Sequence, residues 1–474
     1  MLNMEKLRKR VEGYMSEFGS RGMAVAIVKG DETHFEVFGE RNDRGDKVTE
    51  DTVFPIASIT KTFTGALAAK LVEGGYIQYG DRYADYLPGF MLSDPKVGSS
   101  TTIEDGLSHR SGLARNEFAW MNSGFSMEEV VDHIRYLPMM SPPRTIYHYT
   151  NLMFTAFCWL LKVHFGKKWD RLMKEYITDE VGMKNVNFSV KDTPEMTDDY
   201  AVPFIREDGK TRDVPLFNLD NVGGCGAINT SITELAKWVR FAIGCGTVDG
   251  REVLQKETFL EMVRPRIDAG NSVYWRIPEM ESKGYAVGWQ SDIYRGRRML
   301  RHTGGINGFF SFLCAIPEEG IGVAVLNNTD GSAIEDLISL QIIDELLGLN
   351  SADYLEAQYR KTSESIINGE MLMRKRVEDM RSDAPLSLPP EDYCGVYSRN
   401  GYPDVTVRND NGELTLQMGT TVSRLQHWGA DMFTIPYSER ILVPVRFKVD
   451  ATAPLSVSIN LEPSIKEPLE FVKR

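Results

Sequence analysis

The chain has 474 residues, of which 42% are hydrophobic and 26% are charged, as is ordinary for a soluble globular protein. This length exceeds what one hydrophobic core usually supports, so we expect two domains. A formal net charge of -13 argues against a nucleic-acid partner, which would require a basic face, and against attraction to an acidic membrane.

The amino-terminal residues indicate neither a leader nor an anchor. Met1–Arg10 is charged and amphipathic, and it lacks the apolar core of a signal peptide. No stretch reaches the roughly 18 apolar residues that span a bilayer. The five cysteines are scattered and odd in number, which fits free thiols in a reducing compartment better than a disulfide framework. They are Cys158, Cys225, Cys245, Cys314 and Cys394. We therefore expect a cytoplasmic protein.

The first half of the chain predicts a helix, a hairpin and a second helix. A helix is expected near Met4–Phe18. Strands over Met23–Val28 and His34–Gly39 flank a turn signal and predict an antiparallel hairpin. A further helix should run from Ser58 to Glu73, where two glycines follow. The middle third, about 100–260, is predicted to be mostly helical, and Ile232–Ile243 has one apolar face.

The pattern changes to strands after residue 284. We predict strands over Tyr285–Trp289, Met299–Thr303, Phe309–Ile316 and Gly322–Leu326. A helix over Ala333–Leu347 follows, with apolar residues at helical spacing. Early and late strands on either side of a helical insert imply one sheet built from both ends of this region.

The carboxy-terminal part of the chain reads as a linker followed by β-structure. Residues 351–384 are polar and favour helix, and they run into a proline-rich stretch. Val405–Arg408 and Glu413–Gln417 flank Asn409–Gly412, a hairpin turn. We therefore predict a first domain over 1–350, a linker over 351–388 and an all-β domain over 389–474.

Ser58-Ile59-Thr60-Lys61 is the most informative motif in this chain. Residues three apart share a helix face, so the Lys61 ammonium can lie against the Ser58 hydroxyl and help to activate it as a nucleophile. The same spacing at Ser93 and Lys96, in a predicted loop, shows that this pattern alone is weak. A second interpretation is that Ser58 caps the helix that starts at Ile59.

Two further motifs follow Ser58 in the chain. Tyr149-Thr150-Asn151 is the only Tyr-x-Asn triplet, and His302-Thr303-Gly304 is the only Lys/His-Thr-Gly triplet. With these three motifs in this order, residues 5–350 resemble the β-lactamase-related serine hydrolases. The nearest branch is the one that holds class C β-lactamases, D-aminopeptidases, DD-carboxypeptidases and esterases. Three flanking segments share the resemblance: Tyr86–Gly89, Leu107–Leu113 and Gly223–Ile228.

The resemblance implies an α+β fold of the β-lactamase/transpeptidase type. In this fold an antiparallel sheet is flanked by helices and accompanied by a helical subdomain. The last 85 or so residues resemble the small lipocalin-like barrel that is appended to many hydrolases of this group. No catalytic motif is recognisable in that barrel.

The resemblance also implies roles for the residues of the first two motifs. Ser58 would be the nucleophile, and Lys61 and Tyr149 compete for the role of general base. A neighbouring ammonium favours a phenolate, whereas burial beside other cations favours a neutral lysine. Because the two groups titrate together, the residues leave both assignments open. Resemblance to the class C branch favours Tyr149 as the base, with Lys61 holding it and Ser58.

The remaining site residues are expected to contact the substrate. Asn151 would donate its amide to a substrate carbonyl or merely fix a loop. His302, Thr303 and Gly304 would lie on an edge strand that lines the cleft, and the N–H groups of Ser58 and Gly305 would form the oxyanion hole. His302 replaces the lysine of many β-lactamases. A neutral imidazole attracts a carboxylate less than an ammonium does, which argues against penicillin-like substrates.

The histidines show no metal-ligand spacing, and no nucleotide-binding fingerprint is present, so we expect neither a metal nor a cofactor. The chain is predicted to be a metal-free serine hydrolase that forms an acyl-enzyme on small esters or peptides, including peptides with D-residues. The alternatives are a β-lactamase or penicillin-binding protein, and a catalytically idle scaffold. A small-molecule or peptide substrate is the expected partner. Monomer and homo-oligomer both remain open.

Overall fold

The structure is a computed structural model that describes residues 2–207, 210–270, 277–330, 334–438, 441–450, 452–462, 465 and 467–474. Within these ranges the α-helices are as follows: α1 (Met4–Phe18), α2 (Thr60–Glu73), α3 (Tyr83–Tyr86), α4 (Pro95–Gly98), α5 (Ile103–Leu107), α6 (Met127–His133), α7 (Leu152–Phe165), α8 (Trp169–Met173), α9 (Asp179–Val181), α10 (Thr193–Met196), α11 (Ile232–Ile243), α12 (Lys256–Met262), α13 (Ile334–Leu346) and α14 (Ala352–Glu378).

The strands of the first 350 residues are β1 (Gly22–Lys29), β2 (Glu32–Gly39), β3 (Phe54–Pro55), β4 (Val186–Asn187), β5 (Phe204–Glu207), β6 (Lys210–Asp213), β7 (Asn229–Thr230), β8 (Thr247–Val248), β9 (Arg251–Glu252), β10 (Met280–Tyr285), β11 (Gln290–Tyr294), β12 (Arg297–Ile306), β13 (Phe309–Ile316), β14 (Ile321–Asn327) and β15 (Thr329–Asp330). The strands of the carboxy-terminal region are β16 (Gly395–Ser398), β17 (Val405–Asp410), β18 (Glu413–Met418), β19 (Thr421–Arg424), β20 (Gln426–Gly429), β21 (Met432–Ser438), β22 (Ile441–Val449), β23 (Pro454–Ile459) and β24 (Leu469–Lys473).

A seven-stranded antiparallel sheet in the order β10-β11-β12-β13-β14-β1-β2 forms the centre of the first domain. Strand β1 pairs with β2 on one side and with the late strand β14 on the other, so the predicted sheet from both ends of this region is confirmed. The side chains of β1 alternate between two apolar cores. Ala24, Ala26 and Val28 belong to one core, and the intervening residues belong to the other.

Each face of this sheet is covered by helices, which explains why β13 and β14 are buried along their whole length. Helix α11 packs on one face, and residues of α2 and α7 belong to the same, larger core. The other face is covered by α1 and α13. Local signals set the bounds of α1, because the Asn3 side chain accepts the N–H of Lys6 at 3.0 Å and Gly19 follows in the left-handed region.

The predicted strand over Tyr285–Trp289 is wrong in its bounds. Strand β10 ends at Tyr285, and the next residues form a turn in which Ala286 N–H donates to the Trp289 carbonyl at 2.8 Å. Gly288 has φ +77°, and a Cβ there would lie 2.2 Å from the Lys61 carbonyl oxygen. The close approach of α2 to this turn therefore replaces the expected strand. The alternation of residues along a segment predicts a strand but does not reveal such a contact with a distant helix.

The predicted edge position of the His302 motif also needs correction. Strand β12 lies inside the sheet, between β11 and β13. Its pairing with β11 covers only Arg297–Arg301, whereas its pairing with β13 continues to Ile306. His302, Thr303 and Gly304 therefore follow the point where β11 stops pairing with β12. In this segment β12 pairs with β13 but not with β11.

The carboxy-terminal region is an antiparallel β-barrel that is nearly closed, as predicted. Its strand order is β19-β18-β17-β16-β24-β23-β22-β21-β20. The predicted hairpin is confirmed, because Asp410 pairs with Glu413 and Asn411 and Gly412 have positive φ. The 27-residue helix α14 precedes this barrel, and its residue Val377 accepts the Trp428 indole N–H at 2.8 Å. Among the described helices, none is both long enough and apolar enough to cross a bilayer.

Candidate active site

Ser58 lies in a single turn of 3-10 helix, Ala57–Ile59, that leads directly into α2. The preceding residue, Ala57, has φ +44°, a conformation that a residue with a Cβ rarely adopts. Such strain is typical of positions that the surrounding structure holds for function. The Ser58 side chain makes no helix-capping hydrogen bond, so the interpretation of Ser58 as a simple N-cap is wrong.

Lys61 lies beneath Ser58 and is fully buried. Its Nζ donates to Ser58 Oγ at 3.1 Å and to the carbonyl oxygen of Cys225 at 2.7 Å. The same nitrogen lies 4.8 Å from the centre of the Tyr149 ring and 5.5 Å from that of Phe154. A buried ammonium needs such partners, and the Cys225 carbonyl fixes its direction towards Ser58. The sequence places Cys225 in the Gly223–Ile228 segment but does not predict this contact.

Tyr149 approaches Ser58 from the segment that precedes α7. Its hydroxyl donates to Ser58 Oγ at 2.8 Å. Lys61 and Tyr149 therefore meet at one oxygen, although 91 residues separate Ser58 from Tyr149. This arrangement provides two groups that can exchange a proton with the same hydroxyl.

His109 holds both sides of Tyr149 and was missed by the sequence reasoning. Its ring Nδ1 accepts the N–H of Thr150 at 3.2 Å, and its carbonyl oxygen accepts the N–H of His148 at 2.9 Å. The ring centre lies 4.3 Å from that of Tyr149. Burial, and then the charge of Lys61, hold the pKa of His109 well below its usual range. The only available signal was its place in the flanking segment Leu107–Leu113.

The His302 side chain is buried, with 3% of the residue exposed. We expected it to line the cleft, but it is not among the lining residues. Its Nε2 lies 2.9 Å from the Tyr285 hydroxyl, and its Nδ1 lies 2.6 Å from the carbonyl oxygen of Thr303. Burial, together with the Lys61 charge, lowers the pKa of His302 to about 3. The ring is therefore neutral at neutral pH, as the sequence suggested, but the cause is burial.

Gly304 brings β12 into close contact with the segment before Ser58. A Cβ at this position would lie 2.1 Å from the carbonyl oxygen of Ile56. The Ser311 hydroxyl donates to that oxygen at 3.0 Å and to the Gly304 carbonyl at 3.2 Å. The glycine and the serine together fix the separation between β12 and the nucleophile turn. Thr303 is half-buried beside them.

A cleft of about 600 Å³ opens above Ser58, within the size range of small-molecule sites. Of the predicted site residues, Ser58, Asn151 and Gly305 line it, whereas Lys61 and His302 lie beneath its floor. Charged side chains contribute much of the wall. They are Arg115, Glu117, Arg206, Arg212 and Asp330.

Asn151 contacts a carboxylate on the cleft wall. Its Nδ2 donates to Glu117 Oε1 at 3.2 Å, and Arg115 Nε donates to the same oxygen at 2.8 Å. Asn151 is 7% exposed, and its Oδ1 is buried without a hydrogen-bond partner among the described residues. One of the two N–H groups of the amide that we expected to face a substrate carbonyl is thus engaged by a protein side chain.

The carboxy-terminal barrel holds the segment that carries Arg115 and Glu117. Between these two residues, Asn116 adopts φ +48°, and its N–H donates to the buried carboxylate of Glu462 at 2.6 Å. The Tyr402 hydroxyl donates to Asn116 Oδ1 at 2.8 Å. Tyr437, also from the barrel, lines the cleft and contacts the Phe118 ring. The cleft is therefore lined both by residues from the first 350 positions and by Tyr437 of the carboxy-terminal barrel.

Metal-ligating side chains do not gather at this site. In the part of the chain that the structure describes, no group of three or more His, Cys, Asp or Glu side chains is placed to hold a metal ion. All five cysteines are free thiols.

Comparison with known proteins agrees with this fold. The β-lactamase family matches residues 7–345, and a domain of unknown function, DUF3471, matches residues 380–472. The unguisins hydrolase ungD of Aspergillus violaceofuscus (strain CBS 115571) is 27% identical to the chain, and the match covers 94% of the chain and 85% of that protein.

Two solved structures share the fold. The octameric penicillin-binding protein homologue from Pyrococcus abyssi covers 100% of both chains at 20% identity, with a TM-score of 0.66. The D-amino acid amidase from Ochrobactrum anthropi SV3, complexed with L-phenylalanine amide, covers 72% of this chain and 98% of its own at 18% identity, with a TM-score of 0.58. The family match spans well over half of the chain and confirms the predicted resemblance. The chain belongs to the β-lactamase family, a family of hydrolases.

Proposed function

We propose that this protein is a serine hydrolase that needs no metal and acts through an acyl-enzyme on small esters or peptides. The observation that carries the proposal is the meeting of Lys61 Nζ and Tyr149 Oη at Ser58 Oγ, at distances of 3.1 and 2.8 Å, beneath an open cleft. A serine hydroxyl becomes a useful nucleophile only when a neighbouring group accepts its proton.

In the proposed acylation step, Ser58 Oγ attacks the substrate carbonyl carbon while its proton passes to Tyr149 Oη. Tyr149, whose hydroxyl donates to Ser58 Oγ in the structure, must give up its own proton before this transfer, and the Lys61 ammonium favours the phenolate that results. The N–H groups of Ser58 and Gly305 receive the oxyanion. The tetrahedral intermediate then collapses, and the leaving group takes the proton from Tyr149.

In the proposed deacylation step, water attacks the acyl carbon and gives its proton to Tyr149. The Ser58 oxygen departs from the acyl group and recovers this proton. In this scheme Lys61 is held by Cys225 and keeps its charge throughout. Gly304 and Ser311 keep β12 close to the segment before Ser58, and Gly305 lines the same cleft as Ser58.

The substrate class rests on the size of the cleft and on the relatives. A cleft of about 600 Å³ accommodates a small ester or a few peptide residues. Two of the similar proteins are named a hydrolase of unguisins and a D-amino acid amidase, which agrees with amide substrates and with D-residues. A role as an idle scaffold would not require a buried lysine directed at a serine.

Several further assignments are part of the proposal. We divide the chain into a hydrolase domain over 1–350, a linker over 351–388 and a β domain over 389–474. The cytoplasm is the proposed location, since five free thiols suit a reducing compartment. A homo-oligomer is proposed by analogy with the octameric structural relative.

Intact-mass spectrometry after exposure to a fluorophosphonate tests the proposal. The wild-type protein should gain one adduct on Ser58, whereas Ser58→Ala should gain none and should no longer hydrolyse a p-nitrophenyl ester. The melting temperature of this variant should stay nearly unchanged, because the hydroxyl is not part of the core. Retention of more than a few per cent of the activity would exclude Ser58 as the nucleophile. Exposure to penicillin in parallel shows whether a β-lactam also acylates the protein, and EDTA should not change the rate.

A further inference from the structure

The middle of α14 is left largely uncovered by the rest of this chain. Leu355 and Tyr359 are buried in the core that α1 and α13 share, and Val377 is buried at the barrel end of the helix. Every residue of α14 is described, and none between Tyr359 and Val377 is buried. Three successive apolar residues of this stretch are more than half exposed. They are Met371, Leu372 and Met373, at 58%, 53% and 60%. Exposed apolar side chains that lie together mark a contact surface.

One stripe along this stretch has the spacing of a coiled-coil seam. Its residues recur at alternating intervals of four and three positions. They are Arg360, Glu364, Ile367, Met371, Arg374 and Glu378. Residues at this spacing lie on one face of a helix, along which a second helix can pack. Arg360 and Glu378 each follow a buried residue by one position, so the stripe points about 100° away from the face on which Tyr359 and Val377 are buried. All of its residues are at least partly exposed.

The order of residues along the stripe is self-complementary. When two identical helices pair in antiparallel fashion about a two-fold axis, each residue faces its counterpart on the other side of the axis. With the axis midway between Ile367 and Met371, each of these residues faces the other one in the second copy. The apolar residues thus meet at the centre. Glu364 of each copy then faces Arg374 of the other.

Charge favours this arrangement over a parallel one. In a parallel pair each residue faces itself, so Glu364 would lie opposite a second Glu364 and Arg374 opposite a second Arg374. The guanidinium of Arg374 already pairs with Glu378 of its own helix at 2.8 Å, and that of Arg360 pairs with Glu356 at 2.7 Å. These contacts hold both arginines along the helix. Because a guanidinium has five N–H donors, each can also donate to a carboxylate of the other copy.

We propose that α14 is a contact surface between two copies of this chain, which pair in antiparallel fashion along the stripe from Arg360 to Glu378. The stripe is about 27 Å long at 1.5 Å per residue. A single helix pair buries less than the roughly 800 Å² per partner of a standard interface, so we expect the association to depend on protein concentration. The inference rests on the homo-oligomer in the proposed function and names its interface.

Sedimentation velocity over a range of concentrations tests the interface. Wild type should sediment as a dimer or an even multiple of it. Met371→Glu should raise the dissociation constant at least about tenfold, because the new carboxylate faces Ile367 at the apolar centre. Leu372→Glu is the matched control, since Leu372 is similarly exposed but lies outside the stripe, and it should keep the wild-type value. Circular dichroism should show unchanged helix content in both variants. An equal effect of the two substitutions would exclude the stripe as the interface.

Charge reversal tests the antiparallel orientation. Glu364→Arg places two arginines opposite each other and should weaken the association about fivefold at low salt, because the contact occurs twice in each dimer. Adding Arg374→Glu restores opposite charges and should recover most of this loss. An unchanged dissociation constant in Glu364→Arg would overturn the antiparallel pairing, since only in a parallel pair does this residue face itself.

The outcomes separate the interface from the proposed hydrolase. A wild-type protein that is monomeric at every concentration would overturn both this inference and the proposed homo-oligomer. Hydrolysis of a p-nitrophenyl ester reports on Ser58 and is measured separately, so the proposed chemistry stands or fails on its own result.

Discussion

The ring Nδ1 of His109 accepts the backbone N–H of Thr150 at 3.2 Å, directly beside the tyrosine that contacts Ser58. The His109 carbonyl oxygen binds the N–H on the other side of this tyrosine, that of His148. His109 itself has φ +58°, which histidine and asparagine tolerate better than most residues. One residue of the Leu107–Leu113 segment thus fixes the backbone on both sides of Tyr149.

We expect His109 to act as a positioning residue. His109→Phe removes the acceptor for Thr150 N–H, so kcat for an ester should fall about 100-fold, the effect of a misplacement of about 1 Å. His109→Asn keeps an oxygen near the position of Nδ1 and should recover part of this loss. Steady-state kinetics in which kcat and KM are determined separately measures the effect. KM should change little. Equal losses in both variants would contradict a role for the Thr150 hydrogen bond.

Tyr149→Phe should lower the acylation rate by several orders of magnitude, because it removes the proton acceptor and keeps the ring beside Lys61. Single-turnover kinetics with a p-nitrophenyl ester measures this step. Tyr147→Phe is the control, since Tyr147 is an aromatic neighbour of His109 and does not contact Ser58. Unchanged acylation in Tyr149→Phe would favour Lys61 as the base.

Gly304→Ala should reduce kcat/KM about 100-fold without touching a substrate-binding group. The new Cβ would lie 2.1 Å from the Ile56 carbonyl oxygen, so either β12 or the Ser58 turn must move. Gly13→Ala is a control in α1, where a Cβ meets no atom within 4 Å, and it should raise stability by about 1 kcal/mol. A Gly304→Ala variant with wild-type kinetics would show that the spacing is not critical.

His302 should make stability depend on pH. Its folded pKa of about 3 lies below the ordinary value of about 6.5, so the unfolded chain binds a proton first as pH falls. The contribution of the neutral ring to the free energy of unfolding is fully present above pH 6.5 and is lost as the pH falls towards 3. The loss reaches about 2 kcal/mol at pH 5. His302→Gln does not titrate, and its melting temperature should fall less between pH 7 and 5. If the melting temperatures of wild type and His302→Gln fell equally between pH 7 and 5, this assignment would be wrong.

His302→Lys, which the sequence would suggest for capturing a carboxylate, has a different expected result. The ammonium would take a buried position beside Lys61 instead of an exposed one in the cleft. We expect a loss of stability and no gain in acylation by penicillin. Thermal unfolding together with acylation rates at low and high salt measures both effects.

Glu462→Ala tests whether the carboxy-terminal barrel supports the cleft. The substitution leaves the Asn116 N–H without its carboxylate, which costs about 1–3 kcal/mol for a buried donor. Glu117 is the next residue and lines the cleft, so the KM for a p-nitrophenyl ester should rise. Glu413→Ala, on the exposed β17–β18 hairpin, is the control. An unaltered KM in Glu462→Ala would mean that the barrel does not set the position of Glu117.

Most of the fold could be predicted because its signals are local. The apolar run of β1, the Asn3 cap of α1 and the hairpin at Asn411 each depend on a few neighbouring residues. The turn after Tyr285 could not be predicted, because it exists where Gly65 and Gly288 let α2 and this segment approach each other. That contact joins residues more than 200 positions apart.

The sequence by itself determined the identity and order of the motifs around Ser58, Tyr149 and His302. Each motif is defined by the types and spacing of a few neighbouring residues, so it can be recognised without knowledge of the fold. Only the tertiary structure decided which neighbours they have. Burial sets the charge of His302, the Cys225 carbonyl directs Lys61, and Glu117 accepts one N–H of the Asn151 amide. Asn116 and Glu462 are separated by 346 residues and still share a hydrogen bond. Such contacts arise from the packing of whole elements and domains, for which short-range patterns contain no signal.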